Sequence, residues 1–188
     1  MFVKTSVANP DSFSSQLIKA AQERTKHSVR YDGSYVAISY PMGDVPLTQG
    51  VCTDLIIRAY RALGIDLQQL VHEDMREHFP KYPNIWGLHS TDTNIDHRRV
   101  PNLQTYFERQ GEQLVISHKE SDYKPGNLVT WMLPGNLPHI GIVSSEFVKN
   151  TQRPKIIHNI GRGPVEDDIL FKYEITGHYY FEKLLNLN

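Results

Sequence analysis

Through the first half of the chain apolar residues recur at helical intervals, and through the second half they fall in short runs bounded by Gly and Pro. Pro10 and Asp11, followed by Phe13, Leu17, Ala20 and Ala21, predict a first helix that exits at Lys26-His27. Tyr31 to Gly50 is rich in Gly, Pro and Tyr and reads as a structured loop, with a short strand at Tyr35 to Ser39. Leu55, Ile56, Ala59, Tyr60 and Leu63 recur at three and four, and Gly64 stops that run, so a helix spans Val51 to Leu63 with Cys52 in its first turn. Asp66 caps a further helix reaching about Phe79. Pro80 and Pro83 then force a loop past Trp86 to Pro101, and Asn102 to Gln110, closed by Gly111, forms a last short helix.

Six strands are expected beyond residue 112: Gln113 to Ser117, Leu128 to Leu133, His139 to Ser144, Lys155 to His158, Ile169 to Tyr173 and His178 to Phe181. Helices first and strands second is the order of an α+β fold, with the helices packed on a meandering antiparallel sheet. No internal repeat interrupts it. The 188 residues suit one domain, of which residues 1–30 read as an N-terminal helical extension.

Charge narrows the partners. Lys plus Arg number 20 against 21 for Asp plus Glu, a formal charge of −1, so no polybasic field exists to hold nucleic acid or anionic lipid. Apolar runs such as Leu128 to Leu133 fall far short of the roughly 20 residues of a membrane span. Met1 to Ser15 is polar, without the basic start and apolar run of an export signal, so a signal is expected to be trimmed or absent. One cysteine cannot form an internal disulfide, so the thiol of Cys52 is either core filler or chemistry.

The positive end of a helix favours a thiolate, the form in which sulfur is a nucleophile. Such a nucleophile needs an imidazole to hold its proton and a third group to orient that ring. Among nine histidines, His139 opens the apolar run Ile140-Gly141-Ile142-Val143 directly after the Gly135-Asn136-Leu137-Pro138 turn. His158 or Asn159, at the end of the following strand, is placed to orient it.

These residues carry a resemblance. The chain resembles the NlpC-type cysteine peptidases that cut bacterial cell-wall peptides, and more narrowly a bacterial domain-of-unknown-function family, number 1287. Tyr40 ahead of Val51-Cys52-Thr53-Asp54 is similar to the superfamily's Tyr before Asp-Cys-Ser-Gly. Pro125-Gly126-Asn127-Leu128-Val129 is similar to its Pro-Gly-Asp-Leu-Val strand, His139-Ile140-Gly141-Ile142 to its His-Val-Gly-Ile strand, and His158 to its later histidine. The likeness to the narrower family runs from about Tyr31 to Tyr179 and includes Asn94 to Pro101. Val51 and Asp54 depart from the larger pattern.

The resemblance implies a papain-like fold of NlpC type and a cysteine peptidase or amidase with Cys52, His139 and His158 as catalytic residues and no cofactor. It further implies peptidoglycan stem peptides as partners and work in the periplasm or cell envelope. An enzyme delivered as a toxin would also need an immunity or inhibitor protein. Tyr40, Asp54, Arg98 and Arg99 are candidate substrate contacts, since an arginine grips a carboxylate with two parallel bonds. A buried tyrosine and a bracing ion-pair network are the plainer readings of the same residues.

Two other functions compete. A metal-dependent hydrolase is suggested by His72, Glu73, Asp74, His78, His89 and Asp92. However, His72 and His78 are six apart, not the four that puts two rings on one helical face. A cell-wall-binding module of the same fold without the reaction is the other. Trp86 and Trp131 read as core, and Glu166, Asp167 and Asp168 as a solvated acidic turn.

Overall fold

Helix starts and stops follow local chemistry. In the computed structural model, which describes residues 12–183, Ser12 accepts the backbone N–H of Ser15 and opens α1 (Phe13–Arg24). The expected Pro10-Asp11 start and most of the polar segment Met1 to Ser15 lie outside the described residues. Leu17, Ile18 and Ala21 are buried in the same core as α2 (Cys52–Ala62). That second helix ends where Gly64 takes φ +78°, which a side chain would resist. Asp66 caps α3 (Leu67–Glu77) by accepting Gln68 N–H at 3.2 Å, and α4 (Val100–Gln110) carries Pro101 in its first turn.

The helices cover one face of a six-stranded antiparallel sheet. Its strands are β3 (Glu112–Gln113), β4 (Leu128–Leu133), β5 (Leu137–Phe147), β6 (Pro154–His158), β7 (Val165–Asp167) and β8 (Glu174–Tyr180), in the order β3-β8-β4-β5-β6-β7. The α+β architecture expected from the sequence is present. A separate two-residue parallel pair, β1 (Arg30–Tyr31) with β2 (Gln49–Gly50), ties the chain after α1 to the approach of α2.

Alternation along the strands sorts side chains to two faces. Leu128, Ile140, Ile142, Ile157 and Tyr179 join Leu55, Ile56, Tyr60 and Phe107 in the core beneath the helices. Val129, Trp131, Val143 and Ile156 point the other way and build a second core with Tyr123, Ile169 and Leu170.

Several boundaries differ from expectation. Tyr35 to Ser39 is extended but has no ladder partner, because its neighbours are side chains: Ile38 N–H bonds Asn94 Oδ1 at 2.8 Å. The segment at Gln113 pairs only over Glu112–Gln113. Ile169 to Tyr173 is a bend that caps the second core with Ile169 and Leu170 instead of forming a strand. The strand falls on Val165–Asp167, within the expected acidic turn, because ladder pairing uses backbone groups and tolerates charged side chains at an edge. Helix α3 stops at Glu77, and a separate 3-10 turn spans Phe79–Lys81.

Candidate functional site

Gly50 sets the approach to Cys52. It sits at φ +150°, and a Cβ there would meet Asp54 Cβ at 3.0 Å and Arg58 Nη1 at 3.3 Å, so the chain turns into α2 at close quarters. Val51 then caps the helix without a side-chain acceptor; instead its N–H bonds Asp54 Oδ2 at 2.7 Å. Cys52 is the first helical residue and is 3% exposed.

Burial raises the pKa of this thiol to about 11, against hydrogen bonds from the backbone amides of Ile140, Thr53 and Cys52 that favour the thiolate. The Ile140 bond places the sulfur against β5. Pairing between β5 and β6 starts at Gly141↔His158, so the stretch Leu137 to Ile140 has an open edge on the β6 side. Through Ile140, Cys52 meets the residue that follows His139 in the strand.

His139 is 1% exposed and lies on the face opposite Ile140, beside its ladder partner Trp131 at 5.9 Å between ring centroids. The ring of His158 meets it edge-on at 5.3 Å and 90°. Gly141 makes room for this pair, since a Cβ there would lie 2.6 Å from Ile156 Cγ2 and 3.2 Å from His158 Cβ. Burial first, and the neighbouring His158 second, push the pKa of His139 down to about 3. At pH 7 these shifts leave Cys52 a thiol and His139 a neutral imidazole. His139 Nε2 and His158 Nδ1 are buried and have no hydrogen-bond partner. Asn159 lies next to this pair, and its Nδ2 donates to Gly50 O at 3.5 Å, tying the end of β6 to the start of α2.

The remaining candidates are distributed around the helix. Asp54 and Arg98 grip each other through two bonds, Nε to Oδ1 at 2.8 Å and Nη2 to Oδ2 at 3.0 Å, with side chains 3% and 2% exposed. Thr53 Oγ1 also donates to Arg98 O at 2.9 Å, so the 3-10 turn Asp96–Arg98 is locked to the first turn of α2. In this arrangement Arg98 balances the carboxylate nearest the thiol. Arg99 stacks on the ring of Trp86 at 4.1 Å and bonds Asp96 at 3.3 Å. Tyr40 is half exposed and meets the ring of His72, at 5.0 Å, rather than Cys52.

Among the described residues no three His, Cys, Asp or Glu side chains are arranged to hold a metal. Asp74 of the competing cluster is taken by Arg109, Tyr82 and Gln110. A cavity of about 400 Å³ between α3 and the following loop is lined by Met75, Phe79, Tyr82, Trp86, Leu88 and His89, and includes neither the thiol nor the histidine pair.

Two residues of the site escaped the sequence. Tyr31 hydrogen-bonds the Cys52 thiol through its hydroxyl, and its own pKa is raised by burial and by that sulfur. The register Tyr31↔Gly50 places it there, and a two-residue strand leaves no periodic signal. Asp167 accepts a bond at 2.8 Å from His158 Nε2. Its acidic neighbours masked it as a turn.

With the geometry in place, likeness to known proteins gives the lineage. The chain is 48% identical over 164 residues to Uncharacterized protein YijF of Escherichia coli (strain K12), covering 87% of this chain and 80% of the relative. The pattern of the family described as Domain of unknown function (DUF1287) matches residues 18–181, and the chain belongs to that family.

Proposed function

We propose that this protein is a cysteine hydrolase, a peptidase or amidase, that cuts amide bonds in bacterial peptidoglycan on a papain-like scaffold of NlpC type. One observation carries the reading: the lone cysteine sits at a helix start and meets, in β5, the residue that follows a histidine whose ring meets a second histidine. A buried cysteine that were only filler would need none of these neighbours.

The chemistry follows from the residues. As sulfur attacks the carbonyl carbon, the thiol proton passes to the imidazole of His139, and the carbonyl π electrons move onto oxygen. Backbone N–H groups at the start of α2 receive that oxyanion. Collapse breaks the carbon–nitrogen bond, and the leaving nitrogen takes the proton from His139. Water, deprotonated by His139, then attacks the thioester, releases the carboxylic acid and returns the proton to sulfur. Because thiol and imidazole rest neutral, proton transfer accompanies attack instead of preceding it.

The substrate implies work in the envelope or periplasm. If the enzyme is a delivered toxin, its producer needs an inhibitor protein.

The test is mass spectrometry of purified peptidoglycan incubated with the protein and with Cys52→Ala. New fragments from the wild type alone support the thiol mechanism, and their masses identify the bond. Binding of the sacculus by both proteins without new fragments replaces the enzyme with a binding module.

A further inference from the structure

Asp167 has no part in the reaction just described, yet it is joined to the pair of rings that does. Strand β7 pairs with β6 in the register Ile156↔Asp167 and His158↔Val165, which makes Asp167 the diagonal neighbour of His158 on one sheet face. Glu166 alternates to the opposite face, where it bonds Ser144 and Gln22. Of the two carboxylates, the ladder delivers only Asp167 to the histidines.

A carboxylate accepts hydrogen bonds and does not donate them. Its contact at 2.8 Å therefore puts the proton of neutral His158 on Nε2, leaving a bare lone pair on Nδ1. That Nδ1 is buried without a partner, and the edge-on ring beside it carries the other unpartnered nitrogen, His139 Nε2. The two nitrogens are not bonded to each other, so the tautomer of His158 is fixed by Asp167 alone, and His158 keeps a lone pair, not an N–H, on its buried Nδ1.

We propose that Asp167 is a positioning residue that sets the tautomer of His158, the ring that meets His139 edge-on. This rests on the reading of His139 as the base, but the tautomer is a property of the resting protein. Fixing a histidine through the hydrogen bond of its other nitrogen is a general device for presenting one chosen nitrogen to the chemistry. Burial supports it, since it lowers the pKa of His158 and favours the neutral ring, the state in which a tautomer is defined.

The experiment uses the full chain, labelled with ¹⁵N, as wild type, Asp167→Ala and Asp167→Glu, with ring nitrogens assigned by two-bond ¹H–¹⁵N correlation at pH 7. The wild type is expected to show His158 as the Nε2–H form. Asp167→Ala is expected to bring in the Nδ1–H form of His158, and Asp167→Glu to restore the wild-type pattern. On peptidoglycan, kcat of Asp167→Ala should fall about tenfold to a hundredfold with KM nearly unchanged, the range for losing a carboxylate that holds a histidine ring. Unchanged ring spectra in Asp167→Ala would overturn the proposal, whatever the activity. If Asp167→Ala fails to fold, Asp167→Ser, which keeps a small polar side chain at this edge, is read by the same criteria. A wild type that cuts no peptidoglycan but shows the tautomer change leaves this inference standing and defeats the hydrolase reading.

Discussion

The two faces of the sheet are built from different materials. Beneath the helices, Ile140, Ile142, Ile157 and Leu128 meet Leu55, Ile56 and Tyr60 in an almost wholly apolar contact. On the other face, apolar Val129, Trp131 and Ile156 share the space with His139, His158 and His178, all at most 3% exposed. His178 has both ring nitrogens engaged, by Val115 O and Asn127 Oδ1 at 2.9 Å each. His139 and His158 each keep one buried nitrogen without a partner. The first face holds Cys52 still; the second keeps imidazoles dry and incompletely bonded. A fold that only needed stability would have satisfied those nitrogens.

The largest expected effect lies on the helix side. Arg98→Met leaves Asp54 buried and unpaired at the start of α2 and should cost about 3–5 kcal/mol of stability by urea denaturation, as loss of one partner from a buried pair does. Adding Asp54→Asn should recover a large part of that loss. A cost near zero would mean that the pair does not anchor the helix start.

A smaller effect is expected from the histidine face, and it depends on pH. His139, and His97 among the helices, are both pushed to about 3 by burial, while in the unfolded chain a histidine titrates near 6.5. Below that value the unfolded chain binds protons that the folded chain refuses, so stability is complete above about pH 6.5 and falls as pH drops toward 3. Melting temperature should decline across this window, and His139→Gln should flatten the decline. A profile unchanged by that substitution would show that the ring is not held neutral.

The smallest change concerns the thiol alone. Its pKa of about 11 means that iodoacetamide should modify Cys52 slowly at pH 7 and faster with each step in pH up to that value. Rapid alkylation with a plateau below pH 7 would show instead a thiolate–imidazolium pair at rest.

What could be read from the chain tracks how each feature is encoded. The position of Cys52 was legible because Leu55, Ile56, Ala59 and Tyr60 give α2 its period and Gly64 its end. The strands carrying His139 and His158 were legible as apolar runs after turns. Tyr31 and Asp167 were not, because each is placed by backbone pairing over two or three residues, which leaves no pattern in side-chain type. Ile169 to Tyr173 misled for the converse reason: its apolar residues seal a core from a bend. Arg98 and Asp54 stood out as charged residues, but no pattern of residue types marks them as partners across 44 positions.

Burial of Cys52 also bears on how long the protein survives. Peroxide attacks thiolates, and a cysteine with a partner can retreat from sulfenic acid into a disulfide. This chain has no second cysteine, so one oxidation would proceed toward irreversible sulfinic and sulfonic acids. A sulfur that is 3% exposed and rests protonated offers an oxidant little to attack. The burial that slows the thiol at rest is therefore also its protection, and any event that uncovers the sulfur exposes it to damage as well.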